Sequence, residues 1–430
     1  MIDRTSMATI RRDRRRGSFV LPDYGRYSLA EIVPTVLALF GVDSGRALLP
    51  DEVFREQAAG CDRVVLLMVD GLGYSQLTDH QEQLALFGLL GERGNVYALT
   101  SVFPSTTAAA LTTLHTGFTP REHGLLEWTL YFEQFDSVVE TLPFKPLGGR
   151  QNDSLLRKGA DPRLLFDGPT VYERLAAAGV TPYCFNHQSY ARSAYSSTVG
   201  SGSQSVAYGW GADLVVALRR LLATVDGPAY FFVYWPQVDS VEHRYGPHTE
   251  EHLVELSMLS HLFKAELLDR LDRRAAERTL LLLTADHGQV RVQPEEIVYL
   301  NDYPPVVDAF ERSPKGKPIP PTGSPRDVFL HLKPECQATT MAFLAEELEG
   351  RAQVLTVDQA EGLGMFGVGE PSPYFRSRAG NTLILPYDGH HVWYRHTPGR
   401  TFELRGHHGG LTEAEMLVPL VVARLSDLLV

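Results

Sequence analysis

Cysteine is scarce: Cys61, Cys184 and Cys336 are all that the sequence holds. Three scattered thiols exclude a disulfide framework and a cysteine-built zinc site. Positive charge is in deficit as well. Lys and Arg number 40 against 52 Asp and Glu, for a net charge of −12. That balance excludes the broad basic surface on which nucleic-acid polymers bind. No apolar run reaches the ~20 residues needed to span a bilayer. Residues 1–17 are polar and arginine-rich and lack the apolar stretch of a secretory signal. The expectation is a cytoplasmic protein with no membrane partner. Internal repeats and low-complexity tracts are also missing.

What is there is an ordinary globular composition, 44% hydrophobic and 21% charged, in a chain long enough for a large core. Arg11, Arg12, Arg14, Arg15 and Arg16 make a basic arm within residues 1–20, expected to be a flexible, solvated tail. Any metal site has to use carboxylates and imidazoles, and the chain carries 15 histidines.

The informative stretch is Leu283-Thr284-Ala285-Asp286-His287-Gly288. It follows an apolar run, residues 279–283, of the length and composition of a fully buried strand. A carboxylate and an imidazole at the C-terminal end of such a strand sit where ligands bind in open α/β sheets. Asp with His suits zinc or manganese. The plain alternative is a turn in which Asp286 caps a helix. Three other segments share the design. Residues 63–69 read as a buried strand ending in Asp70-Gly71. Residues 229–235 read as another, followed by Asp239 and His243 at the four-residue spacing that stacks side chains on one helix face. Near the end comes Arg405-Gly406-His407-His408-Gly409-Gly410.

Between these, Pro104 and Ser105 mark a helix start and Gly117 its stop. Thr106 and Thr107 fall in the first turn, where free N–H groups favour an anion; capping alone would also account for them. Other readings are coarser. A helix is expected over 28–42, with Pro34 awkward inside it. Helices are expected over 169–179, 213–224 and 249–278, and strands over 180–185, 327–332 and 381–385. Residues 147–168 and 193–205 read as loops. His390, His391 and His396 read as loop histidines.

Together Asp70, Thr107, Asp239, His243, Asp286, His287 and His408 resemble the alkaline phosphatase superfamily, in particular its nucleotide pyrophosphatase/phosphodiesterase branch. Asp70-Gly71 matches the branch's first metal motif. Thr107, nine residues before Thr116-Gly117, matches its nucleophile. Asp239 and His243 match Asp-x-x-x-His, Asp286-His287-Gly288 the third motif, and His408-Gly409 the last, with His407 the runner-up. Pro120 to Gly124 is similar to the stretch that follows the nucleophile helix.

The resemblance implies a three-layer α/β sandwich with a mostly parallel central sheet and helices on both faces. It implies one catalytic domain over 21–430, with a cap insertion at about 289–400. It implies two divalent ions, zinc or alternatively manganese. Asp239, His243 and His408 would hold one, and Asp70, Asp286 and His287 the other, which Thr107 would also touch. The implied substrate is a small phosphate ester or nucleotide, cleaved at a phosphodiester or pyrophosphate bond. The sequence departs from the pattern at Ala110, where the branch carries Asn, so another phosphoryl donor is expected from 127–165 or 186–205. Phe103-Pro104 precedes the threonine pair instead of following it, which leaves Thr106 open as nucleophile. A phosphonoacetate-type carbon–phosphorus hydrolase, a phosphomonoesterase and a non-catalytic binding protein are the alternatives.

Overall fold

The computed structural model describes residues 1–54, 56–399 and 401–429. Apolar runs form its centre. Arg63–Val69 (β1), Asn95–Thr100 (β2), Thr181–His187 (β3), Gln204–Tyr208 (β4), Ala229–Trp235 (β5), Thr279–Thr284 (β6) and Leu417–Arg424 (β7) make one seven-stranded sheet, in the order β2-β7-β6-β1-β5-β3-β4. β6, β1, β5, β3 and β4 pair in parallel; β7 runs antiparallel to both β6 and β2. β1, β5 and β6 are buried along their whole length. Continuous apolar strands of this kind belong to a parallel sheet covered on both faces.

Register explains where the site must lie. Leu66 of β1 stands opposite Phe232 of β5 and Leu282 of β6, so these three strands end level with one another. Whatever follows Val69, Trp235 and Thr284 therefore meets at one edge of the sheet. That is the mostly parallel α/β architecture the sequence implies.

The segment after residue 289 builds a smaller body. Thr322–Ser324, Asp327–Leu330, Thr382–Pro386 and Ala352–Thr356 pair antiparallel in that order. With the helix Pro334–Glu347 they enclose a separate apolar cluster that includes Val328, Leu330, Leu344 and Ile384.

Several local readings need correction. The N-terminal arm is not a solvated tail. Arg4–Arg14 is helical, capped by Asp3, whose carboxylate accepts the Ser6 N–H at 2.6 Å. Ser6 and Ile10 are buried, Ile2 bridges to Val96, and Arg14 pairs with Asp23 at 3.1 Å. A few small or apolar residues on one face suffice to dock an otherwise basic helix. The expected helix over 249–278 is broken. The α-helix Glu250–His261 passes through a π-turn and a 3-10 turn, the chain extends at Leu271, and Asp272 caps a new helix at Arg273. Residues 193–205 hold a short helix, Ala194–Val199, and the start of β4. Pro34 lies in the first turn of Ile32–Leu39, where its missing N–H costs nothing; the interruption precedes it, as a 3-10 turn at Leu29–Glu31. Among the described residues no helix is long and apolar enough to cross a membrane.

Candidate active site

The loops beyond β1, β2, β5 and β6, with the late His408 segment, supply the site. Asp70 directly follows β1 and is buried. Gly71 after it has φ +80°, and a Cβ there would lie 3.0 Å from the Asp239 Cα. Only glycine lets the two metal-motif segments approach so closely. Gly288 is under the same constraint. A Cβ would fall 2.1 Å from the Ala414 carbonyl oxygen, so the chain after His287 packs backbone against backbone.

Two donor groups result. Asp70, Asp286 and His287 form one, and Asp239, His243 and His408 the other; within each, the ligand atoms lie within 4.8 Å of one another. The His287 and His408 rings stack at 3.5 Å between centroids, so the groups are neighbours. All six expected metal ligands are thus brought together, and His408 rather than His407 completes the second group. His390, His391 and His396 belong to neither.

The tautomers are set by the backbone. Nδ1 of His287 faces the Gly288 carbonyl at 3.1 Å, that of His243 the Gly406 carbonyl at 2.8 Å, and that of His408 the Ser105 carbonyl at 3.0 Å. A carbonyl only accepts, so each proton sits on Nδ1 and each Nε2 turns a lone pair inward. The carboxylates follow the same scheme. Asp286 accepts the Gly71 and His287 N–H groups on Oδ1, leaving Oδ2 buried without a hydrogen-bond partner, 3.3 Å from His287 Nε2. Asp70 accepts the Tyr234 hydroxyl on Oδ2, leaving Oδ1 likewise. Asp239 Oδ1 accepts from the Gln289 side chain. Burial, with Asp286 and Asp239 alongside, pushes the Asp70 carboxyl well above the usual carboxylate range. Burial and the neighbouring imidazoles hold His408 well below its ordinary value. Converging acid oxygens without hydrogen-bond partners and inward-facing imidazole Nε2 atoms are a cation-binding donor set.

The two threonines separate cleanly. Thr106 caps the helix Thr107–Thr116: its hydroxyl accepts the Ala109 N–H and donates to the Leu126 carbonyl. Thr107 Oγ1 instead faces His287 Nε2 at 3.2 Å. Both line a cavity of about 760 Å³ whose wall includes Glu127, Asn186, Tyr190, Tyr195, Ser324 and Phe402.

Sequence reasoning missed Tyr234 and Gln289. The one sign of the first was a hydroxyl inside an apolar strand one residue from its end; of the second, its place directly after Asp-His-Gly. Removing the hydroxyl in Tyr234→Phe is expected to weaken cation binding at the Asp70 group by roughly 10–100-fold. Competition with a chromophoric chelator measures this, and an unchanged affinity would remove Tyr234 from the site.

Comparison with known proteins follows the same line. The family model for type I phosphodiesterase/nucleotide pyrophosphatase matches residues 64–411. Among solved structures, murine ectonucleotide pyrophosphatase/phosphodiesterase 5 matches with a TM-score of 0.58 at 16% identity, covering 84% of this chain and 87% of the other. Its inactive Thr-to-Ala variant in complex with AMP gives 0.59 at 16% over the same shares, and the human protein gives 0.58 at 15%. Comparison with curated protein sequences finds no match. The structural likeness establishes an alkaline-phosphatase-like fold, and with the family match over most of its length the chain belongs to the type I phosphodiesterase/nucleotide pyrophosphatase family of metal-dependent hydrolases.

Proposed function

We propose that the protein hydrolyses phosphodiester or pyrophosphate bonds in nucleotide-type substrates, with Thr107 as nucleophile and two divalent cations, zinc by donor chemistry. The observation that carries this reading is Thr107 Oγ1, 3.2 Å from His287 Nε2, beside paired donor groups from which Asp70, Asp239, His243 and His408 line the cavity. Asp70, Asp286 and His287 would hold one cation and Asp239, His243 and His408 the other. The orphaned oxygens of Asp70 and Asp286 fit that role. Such ions supply Lewis-acid activation of a hydroxyl and neutralise charge on phosphoryl oxygens.

The residues divide the work. Thr107 Oγ1 gives up its proton to solvent and attacks phosphorus in line; the bond to the leaving oxygen breaks, that oxygen is protonated from solvent, and the phosphoryl group resides on Thr107 until water attacks phosphorus and the P–Oγ1 bond breaks. The first-turn N–H groups at Thr107 and Ala108 have no partner within the helix, and with the helix dipole they favour phosphoryl oxygens. Thr106 holds that helix end rigid. The AMP seen with the murine relative supports a nucleotide.

The test is a substrate panel. Bis-p-nitrophenyl phosphate is expected to be cleaved in preference to p-nitrophenyl phosphate and phosphonoacetate, with activity lost to chelator and restored by zinc. Preference for the monoester or the phosphonate would contradict the reading.

A further inference from the structure

Among the Lys and Arg side chains of the described residues, the cavity is lined by Arg192 alone. It is exposed, and no hydrogen bond or ion pair engages its guanidinium. Arginines on adjoining segments are occupied: Arg157 donates to the Asn152 carbonyl at 2.6 Å, and Arg163 pairs with Asp161 at 2.7 Å. The carboxylates lining the cavity are also committed. Asp70 and Asp239 belong to the donor groups, Glu127 accepts the Trp128 N–H, and Asp153 accepts the Ala194 N–H at 3.1 Å. The same cavity is lined by the neutral hydrogen-bonding side chains of Gln188, Ser189 and Ser196.

The cation donor groups and the start of the Thr107 helix serve one phosphoryl group. The cavity, about 760 Å³, is far larger than that group requires and falls within the size of sites for whole small molecules. Any further anionic group of the substrate finds a single fixed positive charge. The geometry points to Arg192 as the recognition group for a second phosphate, the one joined to the scissile phosphorus through the bridging oxygen of a pyrophosphate. This inference rests on the hydrolase reading and narrows it to nucleoside pyrophosphates over simple diesters. A guanidinium suits this role, because its fork makes two parallel N–H bonds to one phosphate and it keeps its charge at any working pH. In cleavage the bond from the scissile phosphorus to the bridging oxygen breaks, and the phosphate held by Arg192 departs with that oxygen. Arg192 itself forms no covalent bond.

The test compares the wild type with Arg192→Ala and Arg192→Lys on two substrates, a dinucleoside pyrophosphate and the p-nitrophenyl ester of a nucleoside 5′-monophosphate. In Arg192→Ala the kcat/KM ratio of pyrophosphate to ester should fall by about tenfold or more, chiefly through KM, with partial recovery in Arg192→Lys. An unchanged ratio overturns the assignment. Calorimetric titration of the zinc-loaded protein with inorganic pyrophosphate and with inorganic phosphate gives a readout free of turnover. Arg192→Ala should weaken pyrophosphate by about fivefold or more relative to phosphate. If neither ester is cleaved but this selectivity depends on Arg192, the hydrolase reading fails and the Arg192 assignment stands. Equal weakening of both ions overturns it.

Discussion

Thr107→Ala should lower kcat on a phosphodiester by about a thousandfold or more, the scale on which nucleophile removal acts when one residue carries the covalent step. Cation content and fold should be unchanged, because all six donor side chains and the backbone carbonyls that orient the three imidazoles stay in place. Thr106→Ala is the matched control. Its hydroxyl caps the helix through Ala109 and Leu126, so its loss is expected to cost about 1 kcal/mol of stability while most of the activity persists. Full activity in Thr107→Ala, with loss in Thr106→Ala, would exchange the two roles.

The second large effect concerns stability. Arg326 and Glu415 are both fully buried, and the guanidinium donates twice to the carboxylate at 2.9 Å. Glu415 also accepts the Gly410 and Thr412 N–H groups and the Thr412 hydroxyl. It therefore ties the turn after His408 to the smaller sheet. Glu415→Ala strands a buried cation and is expected to cost about 3–5 kcal/mol. The denaturant midpoint measures this, and in protein loaded with a divalent cation the ion at the His408 group should be lost first. Replacing both partners with apolar residues should cost less than the single change, since no charge is left unpaired.

The pH dependence has a definite sign. Burial alone would raise the Glu415 carboxyl, but the Arg326 charge and its hydrogen bonds outweigh that and hold it below the ordinary range. A depressed folded pKa contributes stability above the unfolded value, near 4.5, and the contribution is lost as pH falls through the folded pKa. The cost of Glu415→Ala should therefore be constant from neutral pH down to about 5 and shrink in stronger acid. A cost that grew with acidification would contradict the ion pair.

Most of the central fold was legible because its signals are local. β1, β5 and β6 each carry a continuous apolar run, and each is followed by its acidic residue within a few positions. The expectation that Asp70, Asp239 and Asp286 converge needed only that parallel strands end level. What stayed hidden depends on distant partners. Ile2 and Ser6 cannot be told from tail residues until Val96 and Ala98 pair with them. The strands of the smaller sheet are short, and their pairing joins segments from residue 322 to 386, so periodicity showed only two of the four. The choice between Thr106 and Thr107 rested on a family spacing; the capping bonds to Ala109 and Leu126 supply the physical reason. Tyr234 and Gln289 gave only positional signs, because what they do depends on the carboxylate each reaches.

Everything above depends on two adjacent donor groups each taking one cation next to Thr107. Anomalous diffraction at the zinc edge from crystals of the zinc-loaded protein tests it most directly. Two peaks are predicted, roughly 4 Å apart, one among Asp70, Asp286 and His287 and one among Asp239, His243 and His408. A single peak, or zinc bound elsewhere with both groups vacant, would contradict it.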